Sequence, residues 1–155
     1  MSNEMKEMVS PQNGRVTTVL EIPDEVFSEK ILGDGVAIIP TSDEIVSPVD
    51  GEIVQIAETG HAFCIRSDDG VEILIHVGVD TVSLKGRGFV SMVKPGQKVK
   101  AGEQIGTADL KMIADGGYPT HTAVLITNMG IIDTMEVHSG MAEAGKTVAL
   151  TYSLK

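Results

Sequence analysis

Between Val71 and Val77 the chain reads Val-Glu-Ile-Leu-Ile-His-Val, and this strict alternation constrains the fold more than any other stretch. Period-two patterning marks a strand with one face in a core, and it sets Val71, Ile73, Ile75 and Val77 on one side with Leu74 and His76 on the other. A histidine so placed is displayed rather than buried. Upstream, His61-Ala62-Phe63-Cys64-Ile65-Arg66-Ser67 reads as a second strand, and Asp69-Gly70 between the two is the dipeptide preferred by a two-residue hairpin turn. If Asp68 pairs with Val71 across that turn, Phe63 stands opposite His76 and His61 opposite Gly78, so that His61, Phe63, Leu74 and His76 share one face. The two imidazoles are then diagonal neighbours with backbones about 7–8 Å apart, able to converge on one small ligand. A three-residue loop would instead flip the parity and send the histidines to opposite faces. The two-residue register also turns Cys64 toward the core beside Ile75, where a thiol is inert.

A chain of 155 residues with 42% hydrophobic composition fits one domain with a real core. The short acidic start, residues 1–10, reads as a flexible segment and 11–155 as a single domain. With three Phe, two Tyr and no Trp, that core must be aliphatic. The formal charge of −10 disfavours nucleic acid or an anionic membrane as partner and favours a basic protein surface. No apolar run is long enough to span a bilayer or act as a signal, and one cysteine allows no internal disulfide, which together point to the cytoplasm.

Short apolar runs such as Val36-Ala37-Ile38-Ile39, Glu52-Ile53-Val54-Gln55-Ile56 and Thr122-Ala123-Val124-Leu125-Ile126 recur between Gly, Pro, Asn and Asp clusters, as in an all-β domain. Helix is expected only as single turns over Asp24 to Lys30, after Pro23, and over Asp109 to Ala114, capped by Asp109. There are internal echoes. Ser10-Pro11-Gln12-Asn13-Gly14-Arg15-Val16 resembles Ser47-Pro48-Val49-Asp50-Gly51-Glu52-Ile53, and the glycine-bracketed run Lys94 to Glu103 resembles Ser139 to Lys146. Such pairs suggest two similar halves closing on one another as a sandwich or barrel, which hides sheet edges.

Gly78, two residues past His76, allows a backbone carbonyl to approach the ring. If that carbonyl accepts the Nδ1 proton, Nε2 keeps its lone pair outward and the neutral imidazole is a nucleophile. A phosphoryl group suits it, because that transfer needs an in-line attacking atom, positioning and donors for the equatorial oxygens. His61, with Thr59 close by to orient it, is placed to donate to those oxygens. An apolar rim around such polar groups is what a protein-docking surface looks like. Gly86 and Gly88 lack a phosphate-loop pattern and read as a tight turn. His121 and His138, isolated among loops and apolar runs, read as structural or exposed.

Taken together, Thr59-Gly60-His61-Ala62-Phe63, Gly70 to Val82 and Leu84-Lys85-Gly86-Arg87-Gly88-Phe89 closely resemble the glucose-class enzyme IIA of the bacterial phosphoenolpyruvate-dependent sugar phosphotransferase system. Val26 to Ile38, Ser47-Pro48-Val49-Asp50-Gly51 and Ile126-Thr127-Asn128-Met129 extend the resemblance across nearly the whole chain. It implies an antiparallel β-sandwich or flattened barrel with duplicated halves, the duplicated hybrid motif. It also implies a phosphotransferase-system component without cofactor or metal. In such a carrier His76 takes a phosphoryl group on Nε2 from the phosphohistidine of the small histidine phosphocarrier protein and passes it to a cysteine of a sugar-specific IIB domain or IICB permease. By the same resemblance His61 stabilises the phosphoryl group, Thr59 orients His61 and the Gly78 carbonyl holds His76. Asp24 and Asp80 match carboxylates that receive a partner's arginine, and Val26, Leu32, Leu74 and Val82 match an apolar docking face. Gly60 and Leu74 depart from the residues common at their positions, the first usually larger and polar, the second usually aromatic, and the start of the chain shows no amphipathic membrane-binding helix.

Three rival readings have distinct signatures. A zinc-dependent hydrolase of similar β architecture would use a His-x-His pair, whereas glycine follows His76-Val77 here. A biotin- or lipoyl-type carrier would need a lysine in an attachment motif at a hairpin tip. A regulatory binding module, switching other proteins according to its phosphorylation state, is compatible with transfer and would show itself by partner capture.

Overall fold

The computed structural model describes residues 4–155. In chain order the strands are β1 (Lys6–Val9), β2 (Gly14–Thr18), β3 (Asp34–Pro40), β4 (Glu44–Val46), β5 (Gly51–Ile56), β6 (Ala62–Ser67) and β7 (Glu72–Val77). They continue with β8 (Phe89–Ser91), β9 (Lys98–Val99), β10 (Gln104–Ala108), β11 (Thr122–Ile126), β12 (Ile132–Val137), β13 (Gly140–Ala142) and β14 (Val148–Leu154). All strand pairing is antiparallel. An eight-stranded sheet runs β13-β2-β3-β11-β7-β6-β5-β9, and two three-stranded sheets, β1-β14-β12 and β4-β10-β8, complete an all-β sandwich. One aliphatic core joins all three sheets through side chains such as Met8, Ile38, Ile45, Ile75, Ile105 and Leu150. Burying each of these contributes about 1.5–3 kcal/mol, so the alternation in β7 is enforced by its Ile73, Ile75 and Val77 face.

The only α-helices among the described residues are the short turns expected. In α1 (Glu25–Ser28) the Asp24 carboxylate accepts the Val26 N–H at 2.9 Å, and in α2 (Leu110–Asp115) the Asp109 carboxylate accepts that of Met112 at 3.0 Å. Within the segment expected to be flexible, residues 1–3 lie outside the described residues, but Lys6–Val9 form β1 against β14 with Met8 buried. Its sequence, Lys6-Glu7-Met8-Val9, is short and half charged, and long-range pairing rather than local propensity makes it a strand.

The echoed segments are related by an internal two-fold. Val9 N–H donates to Pro48 C=O at 3.0 Å and Val46 N–H to Pro11 C=O at 2.8 Å, a reciprocal exchange. The Asn13 carboxamide oxygen accepts from Ala144 N–H at 2.6 Å, as the Asp50 carboxylate does from Ala101 N–H at 2.8 Å. Gly102 and Gly145, both at positive φ, meet back to back, where a Cβ on Gly145 would stand 2.9 Å from the Gly102 Cα. The strand registers carry the same relation across the large sheet. Val16 pairs with Ile38 and Val36 with Val124 in one half, as Ile53 pairs with Ile65 and Phe63 with Ile75 in the other. The halves meet at the β7–β11 ladder, where Ile75 faces Val124. His76 in β7 and Leu125 in β11 therefore occupy equivalent positions.

The hairpin between β6 and β7 differs from the two-residue reading by one residue. Ala62, not Phe63, stands opposite His76, and the loop is Asp68-Asp69-Gly70. The cause is Ser67. Its N–H donates to Val71 C=O at 2.8 Å and its hydroxyl oxygen accepts Val71 N–H at 2.9 Å, closing the loop around Gly70 at φ +88. A glycine in the left-handed region is what a three-residue hairpin loop requires. Two expectations change with the register. Phe63 is fully buried in the main core rather than displayed, while Cys64 stands opposite Leu74 on the His76 face, half-buried, with burial first and Glu72 second pushing its thiol pKa up.

Candidate functional site

β7 lies at the centre of the large sheet and presents His76 and Leu74 on the face turned away from the main core. Both cross-strand neighbours of His76 are small, Ala62 in β6 and Ala123 in β11, so the imidazole has room to stand. The register alone would point His61 to the opposite face, yet its ring lies 4.8 Å from that of His76, edge to face at 79°. The resolution is local. The ladder begins at Ala62, and His61 sits outside it in the bend after Gly60 (φ +74), so strand alternation does not direct its ring. The residue opposite His61 is Val77, whose N–H donates to the His61 carbonyl at 2.8 Å, and Gly78 follows one step beyond.

Each imidazole is held at Nδ1. His76 Nδ1–H donates to the Gly78 carbonyl at 3.0 Å, which leaves Nε2 as the ring nitrogen carrying the lone pair. His61 Nδ1 lies 2.6 Å from Thr59 Oγ1; with the hydroxyl donating, Nε2 of His61 carries the proton. Two phenyl rings wall the pair. Phe27 lies 5.0 Å from His76 and Phe89 6.2 Å from His61, the latter carried by a tight turn with Gly86 and Gly88 at positive φ. Neither phenylalanine was marked as part of the site by sequence reasoning. The signal for Phe27 was its place in the capped turn after Asp24, and only the fold of the long 19–33 connection brings that turn over β7.

Burial lowers the pKa of His76, opposed by the Gly78 carbonyl, by Asp24 and by Asp80. Burial lowers that of His61 too, assisted by the nearby His76. Both effects favour neutral rings, hence a nucleophilic nitrogen, around neutral pH. Asp24, Val26, Phe27, Leu32, Asp80, Thr81 and Val82 line a shallow depression with His76 at its wall. Val26, Leu32 and Val82 are exposed apolar side chains on its rim, and Asp80 is exposed beside them. Leu74 differs from this rim: it is half-buried against the small cluster of Val19, Ile22, Phe27, Ala37, Val79, Ala123 and Leu125.

The remaining histidines stand apart from the pair. His138 is exposed, its Nε2 3.0 Å from Thr151 Oγ1, while His121 is half-buried with Nδ1 unpartnered. Among the described residues no three His, Cys, Asp or Glu side chains come together as a metal ligand set, and no helix is long and apolar enough to cross a membrane.

Residues 6–131 match the family model described as phosphoenolpyruvate-dependent sugar phosphotransferase system, EIIA 1. A relative from Buchnera aphidicola, named PTS system glucose-specific EIIA component, is 43% identical over 97% of this chain and 93% of its own length. A Bacillus cereus protein of the same name is 43% identical over 96% of this chain and 90% of its own. Among solved structures, the glucose permease IIA of Mycoplasma capricolum superposes with a TM-score of 0.88 at 41% identity, covering 96% of each chain. The fold, the two facing imidazoles and these likenesses lead to one conclusion: the chain belongs to the EIIA family of the phosphoenolpyruvate-dependent sugar phosphotransferase system.

Proposed function

We propose that this protein is a cytoplasmic phosphoryl carrier in which His76 Nε2 accepts a phosphoryl group from the phosphohistidine of the histidine phosphocarrier protein and delivers it to a cysteine of a sugar-specific IIB domain. The observation that carries the reading is the pair of rings 4.8 Å apart, one of them fixed through Nδ1 on the Gly78 carbonyl with Nε2 free to attack. In the first step the His76 Nε2–P bond forms as the donor's N–P bond breaks, and the donor imidazole leaves with the electron pair. In the second step the IIB thiolate attacks phosphorus and His76 leaves as neutral imidazole.

Positive charge builds on the His76 ring as the new bond forms. The Gly78 carbonyl, Asp24 and Asp80, which already act against burial in setting the proton affinity of His76, counter that charge. His61, holding its proton on Nε2 while Thr59 donates to Nδ1, donates to an equatorial phosphoryl oxygen. Val26, Leu32 and Val82 exclude water around the docked partner while Asp24 and Asp80 receive its cationic group, in keeping with the overall charge of −10.

Incubation with phosphoenolpyruvate, enzyme I and the phosphocarrier protein is expected to give one acid-labile phosphoryl adduct, which is lost in His76→Ala. His61→Gln is expected to accept the group and deliver it poorly. A wild-type mass spectrum without the adduct overturns the reading, and undiminished delivery by His61→Gln removes the role of His61. Because the matched relatives are named glucose-specific, a glucose-type IIB domain is the first acceptor to test.

A further inference from the structure

The carbonyl that fixes the His76 ring belongs to Gly78, which sits at φ +77 with no side chain to resist rotation of its flanking peptides. Something else must hold it. The Gly78 N–H donates to His121 C=O at 2.9 Å, and the Val79 N–H, on the same peptide as the Gly78 carbonyl, donates to Pro119 C=O at 3.1 Å. The side-chain member of this clamp is Thr81. It is a fully buried polar residue at the start of a 3-10 turn (Thr81–Leu84), and its hydroxyl donates to Val77 C=O at 2.5 Å. Its methyl group fills the space that a Cβ at Gly78 would need. Val77 is also the residue whose N–H holds the backbone of His61.

We propose that Thr81 is a positioning residue for both imidazoles: by fixing the Val77–Gly78 peptide from below it holds the Gly78 carbonyl on His76 Nδ1 and keeps the His61 backbone in register with β7. The inference rests on His76 as phosphoryl acceptor, and it adds a buried residue whose hydroxyl is engaged with the strand backbone rather than with the imidazoles. Without the Thr81 hydroxyl, the Val77–Gly78 peptide keeps only its bond to the His121 carbonyl, the Gly78 carbonyl next to it is held less firmly on Nδ1–H, and the ring gains access to the other tautomer. The tautomer with the proton on Nε2 cannot attack.

Thr81→Val keeps the shape and the methyl contact while removing the donor; Thr81→Ser keeps the donor. In nitrogen-15 NMR spectra of the whole chain at neutral pH, wild type and Thr81→Ser are expected to show His76 with Nε2 unprotonated. Thr81→Val is expected to show a tautomer mixture, with phosphoryl acceptance about tenfold slower, the scale set by losing the bias of one hydrogen bond. A folded Thr81→Val with the wild-type tautomer and rate overturns the inference. Should Thr81→Val fail to fold, Thr81→Ala, which also lacks the hydroxyl, decides: a folded variant with the wild-type tautomer and rate overturns the inference, and a tautomer mixture with slowed acceptance supports it. Wild-type protein that takes up no phosphoryl group at all would defeat the acceptor reading instead, leaving the tautomer measurement to stand on its own.

Discussion

The two equivalent connections of the duplicated sheet have diverged, and the candidate site is built from that divergence. From β2 to β3 the chain wanders through residues 19–33, whereas from β5 to β6 it needs only residues 57–61. The long connection lays Val19, Ile22 and Phe27 over Leu125, which it buries completely. The short one covers little and instead delivers Thr59 and His61 to the side of His76. Equivalent sheet positions thus became a core leucine on one strand and a half-exposed imidazole on the other. Duplication supplies a rigid frame whose two halves brace one another, and the unequal loops decide which half does chemistry.

The sharpest way to break this contrast is to truncate the equivalent residues in turn. Leu125→Ala removes a fully buried side chain from a small cluster and is expected to cost about 2–5 kcal/mol in urea unfolding. Its folded fraction should still accept a phosphoryl group. His76→Ala should do the reverse, losing acceptance entirely with a smaller loss of stability. An exchange of phenotypes, with Leu125→Ala folded but unable to accept, would show that the long connection is part of the reacting machinery rather than its roof.

What was legible in the chain follows the same division between local and distant causes. The β7 alternation, the helical turn after Pro23, the cap at Asp109 and the echoed turns at Ser10 and Ser47 rest on interactions among near neighbours, and each appears where the sequence pointed. The hairpin register was not decidable from Asp69-Gly70, because that dipeptide suits loops of two or three residues; the hydrogen bonds of Ser67 chose between them. The expected proximity of His61 and His76 was met by a different route from the one reasoned, since His61 lies beyond the end of the ladder and escapes its parity. Phe27 over His76 and β1 beside β14 depend on partners far along the chain, and no local pattern announces them.

Acid should also separate the two halves. His61 and His76 both have pKa values lowered by burial, so between the folded values and the unfolded value of about 6.5 the unfolded chain binds more protons. Their contribution to stability is complete above pH 6.5 and is lost as the pH falls toward the folded values. Each histidine can steepen the decline by at most about 1.4 kcal/mol per pH unit. The equivalents of these residues, Asp34 and Leu125, include no histidine, although His121, just before β11, is shifted the same way by burial and gives a background slope. Urea unfolding between pH 8 and 5.5 should therefore be less acid-sensitive in His61→Gln than in wild type, and parallel profiles would remove the electrostatic part of the contrast.

The smallest effect concerns the carboxylates that border the depression, one from each side of the divergence. Asp24 comes with the long connection, where it caps α1, and Asp80 with the turn leaving β7, where its backbone is left-handed at φ +60. Asn suits both places, since it caps helices and tolerates that backbone, so Asp24→Asn and Asp80→Asn remove charge with little change of shape. If both acids serve to attract a cationic partner, each substitution should slow phosphoryl transfer from the phosphocarrier protein a few-fold at low salt, through encounter rather than through the step at His76. The two losses should shrink together as salt rises toward 0.5 M, where screening falls to well under 10 Å. A loss at Asp80 that ignores salt would mean that this carboxylate acts on the charge of the His76 ring itself, and would move it from the docking surface into the chemistry.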